Sequence, residues 1–127
     1  MAVNSAPRLR TFKASAVIRP YRFVKWGATK DLITECDLND RPMGIFQGDV
    51  ALAAGDFGEV ALPGGGALLE AAETIALGKY LTPNADGEAE VCDAADEPCG
   101  AIAYEDAVDG DVFGVEVCLF QVVSSDA

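Results

Sequence analysis

The sequence predicts an all-β protein, a small β-barrel or β-sandwich built from two related halves, with an extended N-terminal arm. Three observations carry that expectation. A nine-residue turn motif occurs twice, the segments around it repeat in register, and short apolar stretches alternate with Gly, Pro and Asp turns every eight to twelve residues. The motif is Cys36-Asp-Leu-Asn-Asp-Arg-Pro-Met-Gly44, echoed 56 residues later by Cys92-Asp-Ala-Ala-Asp-Glu-Pro-Cys-Gly100. Its Cys-Asp-x-x-Asp-x-Pro-x-Gly skeleton encodes a sharp turn. Asp37 and Asp40 can accept from nearby backbone N–H groups, Pro42 fixes φ, and Gly44 frees the exit direction.

The repeat extends both ways. Ile18-Arg-Pro-Tyr-Arg-Phe-Val24 matches Ile75-Ala-Leu-Gly-Lys-Tyr-Leu81 at an offset of 57. Gly55-Asp56 with Val60-x-Leu62 matches Gly110-Asp111 with Val115-x-Val117 at an offset of 55. A shrinking offset is what loops of slightly different length produce. Residues 18–62 and 75–119 are therefore two copies of one unit within one domain.

Taken in order, residues 1–12 read as an extended arm and residues 13–127 as the single β domain. Lys13–Ile18 begins the first strand. Tyr21–Trp26 alternates aromatic and basic residues, a half-exposed strand pattern closed by Gly27. Leu32–Cys36, Met43–Phe46 and Phe57–Leu62 follow as strands, with Val50–Gly55 a helical turn or a loop. Pro63-Gly-Gly-Gly66 reads as a hairpin tip. Ala67–Leu77 has strong helix propensity, but the repeat pairs its second half with strand, so at most one helical turn precedes Ile75. Lys79–Thr82, Ala89–Cys92, Ala101–Tyr104 and Val112–Gln121 complete the strands, the last being the most β-prone stretch of the chain.

Composition narrows function. The net charge of −12 hides an asymmetry: residues 1–30 sum to +7 and residues 31–127 to −19. So acidic a body argues against nucleic acid as a partner, because phosphate repels it. No apolar run reaches membrane-spanning length, and no secretory signal precedes residue 10, so four cysteines read as reduced thiols. Histidine is absent, and no nucleophile-elbow motif surrounds Ser5, Ser15, Ser124 or Ser125, so no enzyme is expected and no catalytic residue is assigned.

Cofactor and metal sites are weighed in the same way. Cys92 and Cys99 lie too far apart for the usual zinc pair, and Cys118 in an alternating strand reads as a small core residue. Asp86, Asp93, Asp96, Asp106, Asp109 and Asp111 form no calcium-loop pattern and read as turn residues. The glycine triplet lacks a P-loop ending. Lys79 is placed like the displayed lysine of a lipoyl-type carrier barrel but lacks that motif. A small-molecule-binding or lipoyl-like carrier barrel stays as the alternative. Tyr21, Phe23 and Trp26, interleaved with Arg22 and Lys25, could form a stacking platform, or one face could pack while Arg22 and Lys25 meet a partner.

The layout Ala16-Val-Ile-Arg-Pro-Tyr-Arg-Phe-Val-Lys25, Asp40-Arg-Pro-Met-Gly-Ile-Phe-Gln47, Ala54-Gly-Asp56, Ile75-Ala-Leu-Gly-Lys-Tyr-Leu-Thr82, Gly100-Ala-Ile-Ala103 and Asp109-Gly-Asp-Val112 resembles the capsid-cement, or head-decoration, proteins of tailed bacteriophages. The resemblance spans residues 13–121. It implies a non-enzymatic, cofactor-free β protein on the outer surface of the virion. It further implies a major capsid protein as partner and a homotrimer at three-fold and quasi-three-fold positions. The basic arm and the four cysteines lie outside the family pattern. Under that resemblance the expected capsid-contact residues are Arg8, Arg10, Phe12, Lys13 and Arg22, with the arm adding a strand to a neighbour's sheet edge.

Overall fold

The computed structural model describes residues 6–29, 31–93 and 97–121, and contains no helix among them. Ten strands run in chain order: β1 Leu9–Ala14, β2 Phe23–Trp26, β3 Leu32–Glu35, β4 Gly44–Phe46, β5 Phe57–Ala61, β6 Gly66–Glu70, β7 Tyr80–Pro83, β8 Ala89–Val91, β9 Pro98–Ala103 and β10 Val112–Gln121. The first five close into a barrel of order β1-β3-β2-β4-β5, and the second five form a sheet of order β6-β10-β9-β7-β8.

The halves share one topology. In the first, β1 pairs with β3 in parallel, Ala14 opposite Ile33. In the second, a single parallel bridge joins Ala71 to Ala89, linking the end of β6 to the start of β8. Antiparallel bridges between Ile18 and Leu52 and between Ile75 and Ala107 occupy matching places. The turn at Ala53–Asp56 is closed by the Ala53 N–H donating to Asp56 Oδ2 at 2.9 Å, and its counterpart by the Val108 N–H donating to Asp111 Oδ2 at 3.0 Å. Gly55 and Gly110, at φ 92° and 89°, supply the left-handed residue that each copy of this turn requires.

The duplicated all-β architecture stands as expected, with several local corrections. The repeat begins earlier than residues 18 and 75, since β1 and β6 are also equivalent. The first strand starts at Leu9 rather than Lys13, so the arm expected over 1–12 does not include residues 9–12; residues 1–5 lie outside the described residues. Residues 67–70 are strand, not a helical turn. Ala67, Leu69 and Ala71 are buried, while Leu68 and Glu70 between them are half-buried. That is strand periodicity, and pairing with β10 overrides helix propensity. The glycine triplet is no hairpin tip either, because β5 and β6 belong to different sheets and the segment links the halves. Tyr21 lies outside β2 in a left-handed turn at φ 56°, matched by Gly78 at φ 88°.

Strand β4, the start of β2 and the end of β5 are buried on both faces. Val24, Phe46 and Val60 fill the first barrel with Phe12, Ile18 and Ile33. Their neighbours Phe23, Ile45 and Ala61 point the other way and join the core of the second half, beside Leu69, Leu81 and Phe113. The halves approach so closely that a Cβ on Gly100 would lie 2.5 Å from the Phe23 ring and 2.6 Å from Pro42. Gln47 adds a strand-like clasp, its amide donating to Leu68 O at 2.9 Å and accepting from the Leu68 N–H at 3.0 Å.

Candidate docking surface

Three of the seven basic residues of the N-terminal segment are consumed inside the molecule. Arg19 donates to both carboxylate oxygens of Glu35 and reaches Asp86 at 3.3 Å. The Glu35 pairing holds the Arg19 guanidinium well above its ordinary value. Arg22, 8% exposed, donates to Asp86 O at 2.9 Å and lies 3.4 Å from Glu70 and 3.6 Å from Glu88. Lys25 donates to Asp40 Oδ2 at 2.5 Å, inside the first copy of the repeated turn. The same Asp40 oxygen accepts from the Asp37 N–H at 2.8 Å. In the second copy the Asp93 N–H donates to Glu97 Oε1 at 2.8 Å.

What stays on the surface is a basic row along β1. Alternation turns Phe12 and Ala14 into the barrel and Thr11 and Lys13 outward. The Lys13 ammonium sits 5.9 Å from the centroid of the Phe57 ring, and the Arg10 guanidinium 5.9 Å from that of Phe12. Arg8 donates to Pro63 O at 3.3 Å. None of Arg8, Arg10 and Lys13 has a carboxylate partner among the described residues. Phe57 is 66% exposed and Trp26 58%, and the Trp26 ring packs edge-on against Phe12, centroids 5.5 Å apart. Arg10, Thr11, Lys13, Thr29, Asp31 and Phe57 border a shallow groove there.

Of the five expected contact residues, Arg8, Arg10 and Lys13 stay exposed along the same strand, Lys13 on its outward face, Arg10 on the other and Arg8 just before its start. Phe12 does not, because at 7% exposure it is a core residue of the first barrel. Arg22 does not, because it is buried between the halves among carboxylates. The aromatic platform on β2 dissolves for the same reason, Phe23 being fully buried. Phe57 was missed by sequence reasoning. Its one signal was the alternation of β5, which turns Val60 inward.

The remaining candidates resolve into structural roles. Cys36 and Cys92, equivalent in the repeat, are both buried, and burial pushes the Cys36 thiol up. Cys92 and Cys99 pack together with Tyr80 and the partly exposed Cys118. Hydrogen bonding to Cys99, then burial, pushes Cys92 and Cys118 up. No group of metal-binding side chains converges among the described residues. Asp106 Oδ1 accepts from the Leu77 N–H at 2.8 Å, and Asp111 closes its own turn, so these carboxylates serve the backbone. Lys79 is exposed in the turn before β7.

No protein-family model matches the sequence, and no curated protein is significantly similar to it. Among solved structures, the N base of the head fiber gp8.5 of bacteriophage phi29 is similar, with a TM-score of 0.69 and 21% identity, over 87% of this chain and 93% of that one. At that identity the likeness establishes a shared fold.

Proposed function

We propose that this protein is a non-enzymatic structural component of a bacteriophage virion that binds the outer surface of the head and stabilises the capsid. The observation that carries the reading is the fold shared, over nearly the whole of both chains, with a solved head-fiber base. The resemblance of the sequence to head-decoration proteins supports it independently. So does the economy of the molecule: its polar side chains close turns and clamp the two halves, and Arg8, Arg10 and Lys13 line one strand without a carboxylate partner among the described residues.

On this reading the major capsid protein is the partner, and Arg8, Arg10 and Lys13 meet its acidic side chains. Trp26 and Phe57 supply apolar contact beside them. Exposed cation–carboxylate pairs are individually worth only about 0–1 kcal/mol. Tight attachment therefore needs several copies of the face acting at once. A homotrimer at three-fold and quasi-three-fold positions provides that, converting weak contacts into avidity. The test is a pair of phage stocks, with and without the gene. Purified particles should contain the protein, an averaged electron-microscopy map should show its density outside the head, and heads lacking it should release DNA at lower temperature. Absence of the protein from purified particles would overturn the proposal.

A further inference from the structure

The open flank of β1 has a chemistry of its own. Arg8 O accepts from the Leu62 N–H at 2.8 Å, and the Ala14 N–H donates to Asp56 O at 2.8 Å. Even-numbered residues of β1 therefore turn their backbone groups toward β5, and Leu9, Thr11 and Lys13 turn theirs away. On that second side β3 begins only at Leu32, opposite Lys13. It starts no earlier because Gly27 already faces Leu32, the Gly27 N–H donating to Leu32 O at 2.7 Å. Asp31 is left-handed at φ 67°, and the Leu32 N–H donates back to Thr29 O at 3.3 Å. The N–H and C=O groups of Leu9 and Thr11 thus have no backbone partner among the described residues. They face the groove bordered by Arg10, Lys13, Thr29 and Asp31. An exposed edge of this kind is a template for another strand.

We propose that this edge is an acceptor site for an extended, acidic peptide segment of another protein chain, bound by strand addition at Leu9 and Thr11. The charge around the edge selects the occupant. Thr11 and Lys13 lie on the outward face of β1 and Arg10 on the opposite one, so an added strand meets a cation whichever way its acidic side chains point. Asp31, at the far end of the groove, and the exposed Glu59, opposite Thr11 on β5, are the acids nearby, so the favourable contacts are those to Arg10 and Lys13. The direction of exchange is the reverse of the expected one: β1 receives a strand instead of an arm donating one. The proposal builds on the reading of the β1 face as the docking surface. Its test uses a synthetic peptide and no phage head, so the two can fail separately.

The probe is a capped alternating Val-Glu heptapeptide titrated into the full-length ¹⁵N-labelled protein. The Leu9 and Thr11 amide resonances should shift and their hydrogen exchange should slow. A Val-Lys peptide should not bind, and a peptide N-methylated at alternate residues should lose the exchange protection. Replacing Arg10→Glu with Lys13→Glu should weaken binding by about tenfold or more, with an otherwise unchanged spectrum. The proposal is overturned by silence at the Leu9 and Thr11 amides at millimolar peptide. Equal binding of the Val-Lys or N-methylated peptide overturns it too, the first removing the charge selection and the second the strand pairing.

Discussion

Ala14 and Ala71 are one structural position used twice. The Ala14 N–H donates to Asp56 O and its carbonyl accepts from the Gly55 N–H, both at 2.8 Å; Ala71 makes the same two bonds with Asp111 and Gly110, also at 2.8 Å. Both side chains are buried, at 1% and 0% exposure, against the inner wall of their own half. Ala14→Leu and Ala71→Leu should each overfill a closed space and cost about 1–3 kcal/mol, read from urea midpoints. If the Ala71 change were harmless while the Ala14 change was not, the halves would not be equivalent there.

Arg22 clamps the halves rather than meeting a partner. Arg22→Ala leaves Glu70 and Glu88 facing each other without a cation, and should cost about 2 kcal/mol, since both carboxylates keep some solvent. Arg22→Lys should recover little, because two separate guanidinium nitrogens serve Asp86 O and Glu70. Normal stability in Arg22→Ala would contradict the clamp.

Stability should peak in mild acid. Burial raises Glu70, with its hydrogen bond to Glu88 adding, and burial raises Glu90, with repulsion from Glu73, Glu97 and Asp93 adding. A carboxylate raised in the folded state binds its proton more tightly there. Folding is thus strengthened as pH falls from neutral through the folded pKa toward the unfolded value. Asp40 works the other way. Burial pushes it up, but the Lys25 ammonium and the Asp37 N–H outweigh that and hold it below the usual range. Its contribution is present above the unfolded pKa and lost as pH falls through the folded one. Urea midpoints against pH should therefore rise from pH 7 to about 5 and fall below about 4. A monotonic fall from pH 7 downward would contradict the assignment.

The thiols should sort by access. With iodoacetamide at pH 8, native protein should alkylate first at Cys118, the one partly exposed thiol, and slowly, because its hydrogen bond to Cys99 and its burial keep it protonated. All four should react in denaturant, as read by peptide mass. Rapid native labelling of Cys36 would show that the contact between the halves opens.

The duplication was legible because the turn chemistry is local. Asp37, Asp40 and Pro42 shape their own backbone, so the same residues recur wherever the turn recurs. Residues 67–70 were not legible as strand, because Ala and Leu favour helix until β10 lies beside them. Arg22 and Phe12 misled for a related reason. A basic residue in an apparently alternating stretch reads as exposed, and only the second half, packed over the start of β2, shows that Arg22, just before it, is covered. Phe12 looked like part of a loose terminus because nothing local marks residues 9–12 as the partner of residues 58–61. Long-range pairing decided each case.

The central claim is that the β1 face attaches this protein to a phage head. The most direct measurement is co-sedimentation with heads purified from a phage lacking it, comparing wild type with the triple variant Arg8→Glu, Arg10→Glu, Lys13→Glu. The wild type should pellet with heads, progressively less as salt rises. The triple variant, folded by circular dichroism, should stay in the supernatant. Wild type that fails to pellet, or a triple variant that pellets equally well, would contradict the account.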